Sequence, residues 1–75
     1  MEINIMDKYG GKVGYINDLS YIIDKYGNKV GEMRTNGIFN KYGNKVAEVR
    51  GSDIYDVYGS RIGSFNEFPW HLLQQ

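Results

Sequence analysis

A ten-residue pattern that recurs four times constrains this chain more than any other feature. It reads apolar, apolar, Asp or Asn, any residue, Tyr, Gly, any residue, Lys or Arg, Val or Ile, Gly or Ala. A repeat of 16 or 17 residues is too short for helix pairs or propeller blades, and it suits one β-hairpin per copy. The chain is therefore predicted to be all-β, with about eight antiparallel strands. The central tyrosines are Tyr9, Tyr26, Tyr42 and Tyr58.

Each copy contains the residues of a tight hairpin turn. The Asp or Asn at its start has a side-chain oxygen that can accept hydrogen bonds from backbone N–H groups ahead of it. A glycine three residues later supplies the left-handed conformation that returns the chain to the ladder. The residues that open the turns are Asp7, Asp24, Asn40 and Asp56, and the glycines are Gly10, Gly27, Gly43 and Gly59.

The turn also predicts a register, in which a β-branched pair forms the interior of each hairpin. The opposite face is predicted to carry a row of small residues, which marks close approach of another backbone or an aromatic ring. The predicted core pairs are Ile5 with Val13, Ile22 with Val30, Ile38 with Val46, and Ile54 with Ile62, and the small residues are Gly14, Gly31, Ala47 and Gly63.

Short links between the hairpins predict an antiparallel meander. Residues 1–75 are expected to form one domain, with hairpin repeats at about 2–17, 19–34, 35–50 and 51–65. Four equal hairpins predict a pseudo-fourfold closed meander or flower, because closure removes exposed strand edges. An open or solenoid-like sheet is the alternative.

The tail, residues 66–75, departs from the repeat. Its apolar side chains, including Phe68, Trp70 and Leu73, predict packing on the repeats or on a partner chain. Pro69 favours a short helix at this position.

The four copies of the pattern resemble the four-fold beta flower, a small bacterial domain, over residues 2–65. The resemblance implies four hairpin petals around an axis and a bacterial source. It implies no catalytic or binding residues, because none are established for that family.

Composition narrows the functional classes. The chain has no cysteine and one histidine, which excludes disulfides and thiolate metal sites and disfavours zinc. Nine basic and nine acidic residues give zero formal net charge, which disfavours nucleic acid as a partner. Without a signal-like N-terminus or a membrane-length apolar segment, we expect a cytoplasmic protein that binds no membrane and no cofactor.

Two repeated sets of side chains are candidates for binding. The turn tyrosines either pack over the hairpins or form an aromatic surface for a peptide or ligand. The basic residues after each turn either protect the sheet or bind an anion. His71 has no nucleophile or acid at a suggestive spacing, so an enzyme is not expected. The candidate binding residues are Tyr9, Tyr26, Tyr42, Tyr58, Lys12, Lys29, Lys45 and Arg61.

The sequence thus predicts a non-enzymatic structural or protein-interaction module. Its partner is expected to be a second copy of itself or another protein, because a small core leaves apolar residues in need of cover. A small-ligand or anion-binding domain that uses the turn tyrosines and lysines is the alternative. The apolar residues expected to seek cover are Met33, Phe39, Val49, Phe65 and Trp70.

Overall fold

The computed structural model of the protein describes residues 2–74. Eight antiparallel strands form one meander sheet in chain order, and the sheet curls into a half-barrel. A short 3-10 helix follows. The prediction of an all-β antiparallel meander is therefore confirmed. The strands are β1 (Ile3–Met6), β2 (Lys12–Ile16), β3 (Tyr21–Asp24), β4 (Lys29–Arg34), β5 (Gly37–Asn40), β6 (Lys45–Arg50), β7 (Asp53–Tyr55) and β8 (Arg61–Ser64), and the 3-10 helix is Trp70–Gln74.

The predicted turn chemistry is present in all four hairpins. Asp7 Oδ1 accepts hydrogen bonds from the N–H groups of Tyr9 and Gly11, at 2.9 and 2.8 Å. The residue that opens each other turn accepts the same two bonds. The four turn glycines have φ between 84° and 90°, a region that residues with a Cβ rarely enter.

The link between the first two hairpins uses the same turn, although the repeat pattern does not predict a turn of this kind there. Asn17 Oδ1 accepts hydrogen bonds from the N–H groups of Leu19 and Tyr21, both at 3.0 Å. Ser20 stands in the glycine position with φ of 64°. This turn does not match the repeated sequence pattern, because the pattern has glycine at the position that Ser20 occupies.

The predicted cross-strand pairs are wrong by one residue. Met6 faces Lys12 as the turn requires, but the register then shifts and Ile5 faces Gly14. A β-bulge of this kind sets two residues of one strand against one residue of the other. The same shift recurs in the other three hairpins. The isoleucines therefore face the small residues: Ile5 with Gly14, Ile22 with Gly31, Ile38 with Ala47, and Ile54 with Gly63.

The predicted core divides into two classes. The four isoleucines are at most 2% exposed, as predicted, and they form the centre of the hydrophobic cluster. Their predicted partners are only partly buried and pack against that cluster from outside. The isoleucines are Ile5, Ile22, Ile38 and Ile54, and the outer residues are Val13, Val30, Val46 and Ile62.

The tail fills the space above the small residues. The Trp70 ring lies over Gly14, and a methyl group of Leu73 lies over Gly31. Phe68 and Leu73 belong to the hydrophobic cluster. The row of small residues thus marks a close approach, as predicted, but it shares a face with the isoleucines. The tail covers the concave face of the sheet.

The two ends of the sheet come near each other at one point. The Met6 N–H donates a hydrogen bond of 2.9 Å to the carbonyl oxygen of Phe65, directly after β8. No ladder joins β1 to β8 within residues 2–74, so the sheet is a half-barrel rather than a closed barrel.

Removing one turn carboxylate tests the contribution of this motif. We expect Asp56→Ala to lower the free energy of unfolding by about 1–3 kcal/mol, because two backbone N–H groups lose their acceptor. Asp56→Asn is expected to be nearly neutral, since Asn40 accepts the same two bonds in the third hairpin. Urea unfolding followed by circular dichroism measures both variants. Equal losses in the two variants would contradict the capping role.

Candidate functional site

The four turn tyrosines lie at one end of the sheet. The hairpins of a meander all turn at the same end of the strands. The four turns therefore lie side by side at that end of the sheet. Their rings do not pack over the hairpins, because they are between 68% and 90% exposed. Val57, beside the last tyrosine, is 54% exposed. We call this surface the tyrosine end; it consists of Tyr9, Tyr26, Tyr42, Val57 and Tyr58.

A lysine accompanies the ring in three of these turns. The ammonium groups of Lys8, Lys25 and Lys41 lie 5.2–5.3 Å from the centroid of the following tyrosine ring. Such contacts contribute about 0.5–1 kcal/mol at exposed sites. They favour one arrangement of each turn, with the ring facing solvent.

The charges of the four turns differ. The first two turns each contain one aspartate and one lysine. The third contains Asn40 and Lys41 and is positive, whereas the fourth contains Asp56 and Val57 and is negative. The tyrosine end is therefore neutral as a whole, with one positive and one negative turn at neighbouring positions.

The basic candidates are engaged within their own hairpins. Lys12 Nζ lies 4.7 Å from the Tyr15 ring centroid. The other three form ion pairs with carboxylates on the same hairpin, at 2.6–3.0 Å. Each of the four basic side chains therefore contacts a neighbour on the surface of its own hairpin. The ion pairs are Lys29–Glu32, Lys45–Glu48 and Arg61–Asp53.

Two of the carboxylates in these pairs titrate below the usual range. A hydrogen bond from Lys29, and then one from Arg34, lowers the pKa of Glu32. The hydrogen bond from Lys45 lowers the pKa of Glu48. Both glutamates therefore remain ionised at neutral pH, and each holds two basic side chains on the sheet surface.

These pKa shifts predict a pH-dependent contribution to stability. Because the folded-state pKa is lowered, the stabilisation is complete above the ordinary glutamate pKa of 4.5. It is lost as the pH falls through the folded-state pKa. We expect the double variant Glu32→Gln, Glu48→Gln to be less stable than the native protein at neutral pH and to approach it in acid. Urea midpoints measured across this pH interval test the prediction. A stability difference that is independent of pH would contradict it.

A concave pocket of about 480 Å³ lies between the first two turns and the tail. Its apolar wall combines strand residues with the tail, and its mouth carries charged side chains from the two turns. This pocket could not be predicted from the sequence, because it depends on where the tail folds back. The apolar lining residues are Met6, Val13, Val30, Phe68, Trp70 and Leu73, and the polar ones are Asp7, Lys8, Asp24, Lys25, Tyr26, Asn66, Glu67 and Gln74.

The remaining candidates are the single histidine, a metal site and a membrane-spanning helix. His71 is exposed on the 3-10 helix, outside the residues that line the pocket. Within residues 2–74, no three His, Cys, Asp or Glu side chains are grouped to hold a metal ion. The same part of the chain contains no helix with the length and apolarity needed to span a bilayer.

The structure thus defines a small all-β domain of eight antiparallel strands in a curled meander sheet. Comparison with protein-family models, curated proteins and solved structures finds no significant match to this chain.

Proposed function

We propose that this protein is a non-enzymatic interaction module that associates with a second copy of itself through the tyrosine end. The observation that carries the proposal is the exposure of four equivalent tyrosine rings at one end of the sheet, between 68% and 90%. Tyrosine is enriched at protein interfaces, because its ring buries a large area and loses little side-chain entropy. Four such rings supply the anchors that an interface requires.

The apolar residues that were expected to pack against a partner are covered by other residues of the same chain. Val49 is buried, and Met33, Phe65 and Trp70 pack against the hydrophobic cluster. The Arg34 guanidinium covers the Phe39 ring at 5.0 Å from its centroid. Support for a partner therefore rests on the tyrosine end.

Charge favours a second copy as that partner. In a twofold arrangement, the positive third turn of one copy meets the negative fourth turn of the other, and the reverse contact forms by symmetry. The first two turns are neutral and add their tyrosines without repulsion. Complementary charge of this kind orients the two surfaces. Another protein with a similar neutral aromatic surface is the other candidate partner.

The classification as a four-fold beta flower domain belongs to the same proposal. It is supported by four equivalent turns with the same hydrogen bonds and by four equivalent buried isoleucines. A symmetric site for an anion at the repeated tyrosines and basic residues has less support, because Lys29, Lys45 and Arg61 are paired with carboxylates.

Sedimentation velocity over a wide concentration range tests self-association. The native protein is expected to show a concentration-dependent mass. Replacing all four turn tyrosines by serine is expected to give a folded monomer, because the rings are exposed. Leu19→Ser is the matched control, since Leu19 is 69% exposed but lies in a link at the opposite end of the sheet. A native protein that remains monomeric throughout would refute self-association.

Two charge variants test the orientation. Lys41→Val gives the third turn the residue found in the fourth, and Val57→Lys does the reverse. Each variant makes one turn neutral with a side chain that the same turn accepts elsewhere in the chain. Both are expected to weaken association and to reduce its dependence on salt. If neither changes the association, the proposed turn-to-turn contact is absent.

A further inference from the structure

We infer that the pocket between the first two turns and the tail binds a small organic cation, namely an amine attached to an apolar body about the size of a phenylalkyl group. The inference does not depend on the proposed self-association, although Tyr26 and the first two turns belong to both surfaces. The volume of about 480 Å³ lies within the range of roughly 300–1,000 Å³ that is usual for small-molecule sites.

The wall of the pocket suits an apolar body. Phe68 and Leu73 are buried in the hydrophobic cluster, so their positions are fixed by packing. The Trp70 ring packs against Phe68, with centroids 4.7 Å apart and planes inclined at 56°. Val13 and Val30 also line the pocket. An aromatic or aliphatic ligand would bury its surface against these side chains.

The mouth of the pocket carries fixed negative charge. Asp7 and Asp24 each accept two backbone hydrogen bonds through Oδ1, at 2.8–2.9 Å. These bonds hold the carboxylates in place. The second oxygen, Oδ2, of each carboxylate is not used in these turn bonds. Glu67 adds a third carboxylate to the lining.

The two lysines at the mouth do not cancel this preference. The ammonium groups of Lys8 and Lys25 lie against Tyr9 and Tyr26, and they are carried on flexible stems that can move away from an incoming cation. The aspartates cannot move without breaking the turn. An ammonium group at the mouth would therefore bond to a carboxylate and lie near aromatic rings, whereas an anion could bond to the two lysines but would be repelled by three carboxylates.

Fluorescence of Trp70 provides a direct readout, because it is the only tryptophan in the chain and it lines the pocket. Three probes share one apolar body and differ in the head group: 4-phenylbutylamine, 4-phenylbutanol and 4-phenylbutanoate. We expect a saturable change with the amine, weaker binding of the alcohol, and the weakest binding of the acid.

Charge variants test the role of the mouth without disturbing the turns. The double variant Asp7→Asn, Asp24→Asn is expected to weaken amine binding roughly tenfold, through the loss of two nearby charges, and to leave alcohol binding unchanged. Asn40 shows that asparagine makes the same turn bonds. Asp56→Asn is the matched control, since Asp56 occupies the same turn position but does not line the pocket.

Methyl NMR locates the bound probe. The amine is expected to shift the Val13 and Val30 methyl signals and to leave Val46 and Ile62 unchanged, because these equivalent residues of the last two hairpins lie outside the pocket. The inference is overturned if no probe gives a saturable response, if the acid binds as tightly as the amine, or if Asp56→Asn weakens binding as much as the double variant. Equal shifts in all four hairpins would also overturn it.

Discussion

Replacing Ile22 by alanine is expected to lower the free energy of unfolding by about 2–5 kcal/mol, because a fully buried side chain would leave a cavity. Ile22 is 0% exposed at the centre of the cluster. A domain of 75 residues has little stability to lose, since small chains lie at the low end of the usual 5–15 kcal/mol. We therefore expect the urea midpoint of Ile22→Ala to approach zero.

Two further variants show whether the effect follows the observed register. Ile22→Val keeps the branched shape and is expected to cost about 0.5–1.5 kcal/mol. Val30→Ala is expected to cost about 1 kcal/mol or less, because Val30 is only partly buried at the edge of the cluster and little area is lost. If Val30→Ala destabilised the protein as much as Ile22→Ala, the symmetric pairing predicted from the sequence would describe the hairpin better than the bulge.

The turns and the central core could be predicted from the sequence because their causes are local. The side-chain oxygen of Asp24 and the left-handed Gly27 act within five consecutive residues. The spacing of these turns then determines the strand order and the position of each isoleucine. Ser20 shows the limit of such patterns, because it adopts the glycine conformation without being glycine.

The register could not be predicted from the turn alone, because a β-bulge follows the turn in every hairpin. The bulge turns Gly31, rather than Val30, toward Ile22. A methyl group of Leu73 from the tail fills the space above this glycine. A hairpin considered alone favours the branched pair, since its members would cover each other.

Dependence on the tail separates the two candidate sites. The tyrosines occur at the repeated turns because they are part of the local motif, and they were predicted from the sequence as candidate binding residues. The pocket requires Trp70 and Phe68 to lie beside the first two turns rather than the last two. The repeats differ in the charges of their turns and in Ala47 of the third hairpin, but these differences do not by themselves place the tail. The one signal in the sequence was an apolar tail together with small residues in the middle of strands.

Gly14→Ala is expected to destabilise the protein by about 3 kcal/mol, at the upper end of the usual cost of overpacking, because the new methyl group has no room. A Cβ atom at this position would lie 2.5 Å from the Ile23 carbonyl oxygen and 2.6 Å from Cη2 of Trp70. The backbone oxygen cannot move without disturbing the β2–β3 ladder, so the indole is expected to move outward. A red shift of the tryptophan emission would report that movement, and urea unfolding would measure the loss.

A double-mutant cycle with Trp70→Leu separates the contact with the ring from the clash with the backbone. The two losses should sum to more than the loss in the double variant, with a coupling energy of about 0.5–3 kcal/mol, because the smaller side chain leaves space for the methyl group. Ala47 provides the control, since it carries a Cβ at the equivalent position in the third hairpin and is fully buried. Ala47→Gly should cost no more than about 1 kcal/mol. Strictly additive losses for Gly14→Ala and Trp70→Leu would mean that the ring does not lie over Gly14. The tail would then not be docked as described, and the pocket beside it would lose its wall.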